Sequence, residues 1–156
     1  MLKKIDTGEA DEILVLYTKN FGKIRAFAKG IKKEEAKLKG HLEPLALAEI
    51  SFVLGKKGER LTHAQMLRYG YGFRSNYEKL QAAYFIANLL DSHCLEGEKD
   101  QKLWEFLLSA FLSLESTEKD AMQKFTADFE RGLFDVLGFS PLENSGNSST
   151  ATGFLK

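Results

Sequence analysis

FGKIRAFAKGIKKEEAKLKGH, residues 21–41, parses as a strand running straight into a basic loop. Lys23, Arg25, Phe27 and Lys29 fall on alternate positions, and side chains of a strand alternate between its two faces. These four therefore share one face, leaving Ile24, Ala26 and Ala28 on the other, free to enter a core. Lys32, Lys33, Lys37 and Lys39 follow in the loop, so the span from Lys19 to His41 carries eight Lys or Arg against Glu34 and Glu35. A cationic strand face with a ring at its centre suits a nucleic acid, because lysines neutralise phosphates and a ring stacks on a base. The same residues also describe a solvated edge strand kept soluble by its lysines.

Outward from this stretch, the charge is unevenly spread. The 156 residues have a formal net charge of zero, yet residues 1–74 hold 15 Lys/Arg against 9 Asp/Glu and residues 75–156 hold 7 against 13. A basic first half points to a polyanionic partner. Cys94 is the only cysteine, which rules out an intrachain disulfide and a cysteine-based zinc cluster. The N-terminus, MLKKIDTGEADE, is charged and lacks an apolar run, so neither a signal peptide nor a membrane span is expected. The expected setting is a reducing cytoplasm.

Ile13–Thr18 (ILVLYT) reads as a buried strand, joined through Lys19–Gly22 in a hairpin to the strand that ends near Lys29. Leu2–Ile5 is a candidate short strand. Pro44 opens a strand over about residues 45–54, Gly55–Gly58 is a turn, and residues 61–69 return. Four or five short antiparallel strands in about 70 residues suggest a small barrel. After Arg74 the period changes. Ser75 or Asn76 caps a first helix; Leu103, Phe106, Leu107, Ala110, Phe111 and Leu114 mark a second. Thr117 with Asp120 resembles a capping signal for a third, which Gly138 ends. The expected class is α+β, an antiparallel barrel over residues 1–72 and a helical bundle over 75–140. Residues 141–156, rich in Ser, Asn, Gly and Thr, read as a disordered tail.

LKKIDTGEADEILVLYT, FGKIRAFAKG, LKGHLEPLALAEI, LTHAQML and FERGLFDVLGFSP, in this order, resemble the RecO family of bacterial recombination-mediator proteins across residues 2–141. The resemblance implies an oligonucleotide-binding (OB) barrel followed by helices. It implies binding of single- and double-stranded DNA, annealing of complementary strands, and loading of recombinase with the partner RecR onto DNA coated by single-stranded-DNA-binding protein. A bacterial, nucleoid-associated cytoplasmic location goes with that role. Three departures stand out. The first barrel strand is short, which leaves an exposed edge. The zinc cysteines found after the Gly-Phe-Ser-Pro run in many members are absent, and so are the last helices. The family's site for the tail of single-stranded-DNA-binding protein is not carried over.

The expected DNA contacts are Lys19, Lys23, Arg25, Phe27, Lys29, Lys32, Lys33, Lys37 and Lys39, with Tyr17 and Phe21 as further candidate stacking rings. Phe27 is equally a candidate core ring. Catalysis and cofactors are not expected: His41, His63 and His93 are scattered, and Asp11-Glu12 and Glu34-Glu35 are adjacent pairs that lack facing geometry. A protein-interaction module without DNA binding, and an RNA-binding OB protein, remain alternatives. Nothing in the pattern inserts into a groove to read base edges, so sequence preference is expected to be weak.

Overall fold

The run Ile13–Thr18 has apolar residues at every position of its centre, which requires cover on both faces. The structure, a computed structural model describing residues 1–139, supplies both covers. Five strands, β1 (Lys3–Asp6), β2 (Glu12–Thr18), β3 (Gly22–Ala28), β4 (Leu47–Gly55) and β5 (Gly58–Arg68), form one sheet in the order β1-β2-β3-β5-β4. The sheet is mixed rather than wholly antiparallel. β3 and β5 run parallel, with Ala26 opposite Glu59 and Phe27 opposite Arg60, while every other pair is antiparallel. Five strands in this Greek-key order make a partly open OB barrel. Register shifts in the β4–β5 pair, at Leu47/Ala48 and Ser51/Phe52, let the long hairpin curl.

Leu14 and Leu16 of β2 point into the barrel with Ile24, Ala26, Leu42 and Leu61. Val15 points the other way, into a second core built with the helices. These are α1 (Tyr71–Arg74), α2 (Tyr77–His93), α3 (Gln101–Ser116) and α4 (Met122–Leu137). Ala83, Ile86 and Leu90 of α2, Leu107 and Leu114 of α3, and Leu133 of α4 supply that core. Asn76 caps α2 by accepting the Lys79 amide at 3.0 Å, and Asp100 caps α3 by accepting the Leu103 amide at 3.0 Å. Gly138, at φ 78°, ends α4. No helix among the described residues is long and apolar enough to cross a membrane.

Several boundaries differ from expectation. Thr117 does not cap α4; its hydroxyl donates back to the Ser113 carbonyl at 2.8 Å and closes α3. α4 instead follows a 3-10 turn, Lys119–Ala121, with no side-chain cap. β4 begins at Leu47, because Leu45 adopts a positive φ of 64°. The short helix α1 lacks the length for a periodic signal. Arg74, at its end, fastens the junction: Nε donates to the Tyr69 carbonyl at 2.7 Å, Nη2 donates to the Pro44 carbonyl, and the guanidinium lies 4.2 Å from the Tyr69 ring centroid. The tail expected at 141–156 lies outside the described residues.

β1 pairs β2 from Asp6–Glu12 to Lys3–Val15, and the Leu2 amide carries the ladder on by donating to the Val15 carbonyl at 2.8 Å.

Candidate nucleic-acid interface

β3 turns Ile24, Ala26 and Ala28 into the barrel, which sends Lys23, Arg25 and Phe27 to its outer face. That face is shared with the helices, and the three side chains meet different surroundings.

Lys23 is a correction. It does not lie on a solvated face but is 6% exposed, because the end of α2 covers this part of β3. A buried ammonium must be paired, and Asp91 of α2 pairs it with Oδ1 at 2.9 Å from Nζ, while the Asp91 carbonyl accepts a second bond. Lys3 of β1 holds the other carboxylate oxygen. Burial works to raise the Asp91 carboxyl, but hydrogen bonds and charge from Lys3 and Lys23 outweigh it and hold the group below the usual carboxylate range.

The acidic segment after α2 lies along β3. The Gly97 amide donates to the Lys23 carbonyl at 2.9 Å, and Glu96 bridges Lys23 in parallel fashion. Gly22 makes this approach possible: a Cβ there would sit 2.0 Å from the Glu98 carbonyl oxygen. Glu96 is thereby brought to Arg25, with Oε1 2.6 Å from Nε and both side chains about half exposed.

Phe27 lies beyond the reach of this acidic segment. The registers set it in one row across the sheet, Ile5–Ile13–Phe27–Arg60–Val53. Phe27 is half-buried and Arg60 beside it is exposed. Arg60 was not among the sequence-predicted contacts, and neither were Lys56 and Lys57, which form the exposed β4–β5 turn. The pattern Gly55-Lys56-Lys57-Gly58 was legible as a turn. The missing step was that the β4–β5 loop is one of the two loops with which OB barrels contact oligonucleotides.

The basic loop is pinned at both ends. Asp11 Oδ1 accepts the Gly30 amide at 2.6 Å, the Lys32 amide donates to the Ala10 carbonyl at 3.1 Å, and Ile31 enters the barrel core. At the far end a 3-10 turn spans Lys39–His41, and His41 Nδ1 accepts the Met66 amide at 3.3 Å, a structural role. Lys32 is engaged by Asp6 at 2.9 Å and by the Gly8 carbonyl. Lys29, Lys33, Lys37 and Lys39 are exposed, and no carboxylate among the described residues pairs with them. Lys19 is likewise exposed in the β2–β3 turn, next to Phe21, whose ring meets Phe52 edge-on at 5.0 Å. Tyr17 faces the helices and stacks with Trp104, with ring centroids 6.5 Å apart. Cys94 is buried, and desolvation, with the charges of Asp100 and Glu98 adding to it against Lys23, pushes its thiol up to about 11.

An OB barrel whose outer face is partly clamped by a helical bundle, and whose basic loop keeps four lysines that no described carboxylate engages, defines the class of this protein. Residues 1–69 match the family described as Recombination protein O N terminal, and residues 74–154 match Recombination protein O C terminal. The chain belongs to the Recombination protein O (RecO) family. It is 30% identical over 141 residues to the DNA repair protein RecO of Dehalococcoides mccartyi, covering 90% of this chain and 55% of that protein. Identity to the DNA repair protein RecO of Rubrobacter xylanophilus is 32% over 142 residues, 90% of this chain and 56% of the relative. For the DNA repair protein RecO of Acetivibrio thermocellus it is 27% over 145 residues, 93% and 57%. The chain thus spans little more than half the length of these relatives.

Proposed function

We propose that this chain acts in DNA repair and recombination by binding DNA strands on its β domain, without strong sequence preference, and promoting their annealing. The observation that carries the reading is the set Lys29, Lys33, Lys37 and Lys39, four exposed lysines that no carboxylate among the described residues engages, in a loop that leaves β3. Each free ammonium releases a counterion when it meets a phosphate, and that term supplies most sequence-independent affinity. Phe27 with Arg60 beside it offers a stacking face, and Arg25, Lys19, Lys56 and Lys57 extend the charge. Lys32 contributes less, since Asp6 holds it, and Lys23 drops out. Two strands laid on one cationic loop repel each other less, which is a physical route to annealing. Loading of recombinase with RecR, and contact with single-stranded-DNA-binding protein, belong to the same proposal through the relatives' role. So does a division into a nucleic-acid-binding domain at 1–72 and a helical domain at 75–140.

A second reading, a protein-interaction module with weak DNA binding, is favoured by one observation: Asp91 and Glu96 neutralise half of the β3 face. A gel shift with single- and double-stranded oligonucleotides near physiological salt, followed by annealing of complementary strands with and without RecR, separates the two. Binding with accelerated annealing is expected. No shift, with RecR still captured, establishes the second reading.

A further inference from the structure

We propose that the tip of the β4–β5 hairpin is a wedge for duplex DNA: Lys56 and Lys57 meet the phosphates while Leu54 enters a base step and kinks the helix. The inference rests on the DNA reading above and adds a second binding mode to it.

The ribbon stands clear of the barrel at this end. Phe52 of β4 still packs against the barrel core. Val53 and Leu54, the next two residues, are 51% and 83% exposed, and Leu54 is the most exposed large apolar side chain among the described residues. Successive strand residues face opposite ways, so neither face of the ribbon is covered here. A third strand, β3, pairs with β5 only at Glu59 and Arg60. Beyond that rank Gly55 pairs with Gly58 across Lys56 and Lys57, and a Cβ at Gly58 would meet nothing within 4 Å. The tip is therefore narrow, with two of its four residues lacking side chains.

Shape and charge together specify the partner. Two apolar side chains on opposite faces of one ribbon do not both rest on a flat surface, but both find contacts when the ribbon is inserted between two walls. A two-stranded ribbon fits a DNA groove. Lys56, Lys57 and Arg60 are exposed, and no carboxylate among the described residues pairs with them, so insertion brings cations to the phosphates that rim the groove. The one acid of the tip, Glu59, pairs across the ribbon with Leu54 and shares its face. It repels a phosphate from that face, which leaves the base stack as what Leu54 meets. Apolar wedges of this kind part adjacent bases and kink the duplex by about 20–90°. Leucine has no hydrogen-bonding group, so insertion adds no readout of base edges and accords with weak sequence preference. A mismatched pair is already weakly stacked, and the wedge enters there at least cost. The ribbon is braced at its base, where Arg74 ties the Tyr69 and Pro44 carbonyls together.

The test uses the full chain and a duplex of about 20 base pairs, end-labelled for energy transfer. A central mismatch sits beside a fluorescent adenine analogue that brightens when unstacked. Binding is expected to brighten the analogue, shorten the end-to-end distance, and be about tenfold tighter than to the matched duplex. Leu54→Asn, an exposed change that spares the fold, is expected to abolish the brightening and the bend. Its affinity for oligo-thymidine should stay within about twofold of the parent. Lys56→Gln with Lys57→Gln is expected to flatten the salt dependence of duplex binding by about 1.8. Oligo-thymidine bound, with the duplex neither brightened nor bent, overturns the wedge and spares the DNA reading. A Leu54→Asn chain that brightens and bends the duplex as the parent does has the same consequence. Binding to neither DNA overturns both.

Discussion

Replacing Lys29, Lys33, Lys37 and Lys39 together with Gln removes four exposed charges that no described carboxylate engages. Each phosphate contact to a single strand contributes about 0.7 to the slope of log affinity against log salt. Losing four contacts flattens that slope by about 2.8, and at about 0.1 M salt the affinity falls between roughly a hundredfold and a thousandfold. The assay is anisotropy of a labelled oligo-thymidine titrated between about 0.05 and 0.3 M NaCl, where the counterion term dominates. Lys23→Gln is the internal control. Its ammonium is buried and already taken by Asp91, so the slope stays as in the parent while the unfolding midpoint in urea drops. The reasoning is refuted if the quadruple variant keeps the parent slope, or if Lys23→Gln alone flattens it by as much as any single loop lysine.

Four further outcomes follow from the contacts around β3. Asp91→Ala leaves Lys23 buried and unpaired; a fully buried pair costs about 3–5 kcal/mol to break, and with the Asp91 side chain 19% exposed about 2–3 is expected in urea unfolding. Because the folded carboxyl lies below its unfolded value of about 3.9, the Asp91 contribution is complete above that pH and fades as pH falls through the depressed value, so Asp91→Asn lessens the acid sensitivity of the parent in that window. Glu96→Gln releases Arg25 for one more phosphate contact and should tighten single-strand binding about three- to fivefold near 0.1 M salt, read by the same anisotropy titration. With its pKa near 11, Cys94 is thiolate to roughly one part in a thousand at pH 8, against about a quarter for a free thiol, so alkylation should be hundreds of times slower than in urea.

The sequence was most legible where local rules suffice. The hairpin from Glu12 to Ala28 followed from a branched apolar run, a turn with Gly22 and strict alternation afterwards. Asn76 and Gly138 marked helix ends because cap chemistry is confined to a few residues. Thr117 and Asp120 carried the same local pattern, yet Thr117 closed the preceding helix, since a hydroxyl bonds backward as readily as forward. Lys23 was illegible for a different reason. Its alternation with Arg25 and Phe27 fixes the face but not what covers it, and its partner Asp91 lies 68 positions downstream. Arg60 joined Phe27 through a parallel pairing that no local signal announces, because it depends on the crossover between β3 and β5. Among the nine expected contacts, Lys29, Lys33, Lys37 and Lys39 are exposed and engaged by no described carboxylate, while Lys23, Arg25 and Lys32 have found carboxylates.

The fastening at Arg74 bears on how the molecule responds to load. One guanidinium grips the chain just after β5, the turn before β4 and the Tyr69 ring, so the passage from strands to helices has no free pivot. A pull on the β4–β5 hairpin would therefore reach the helices through the Arg74 side chain.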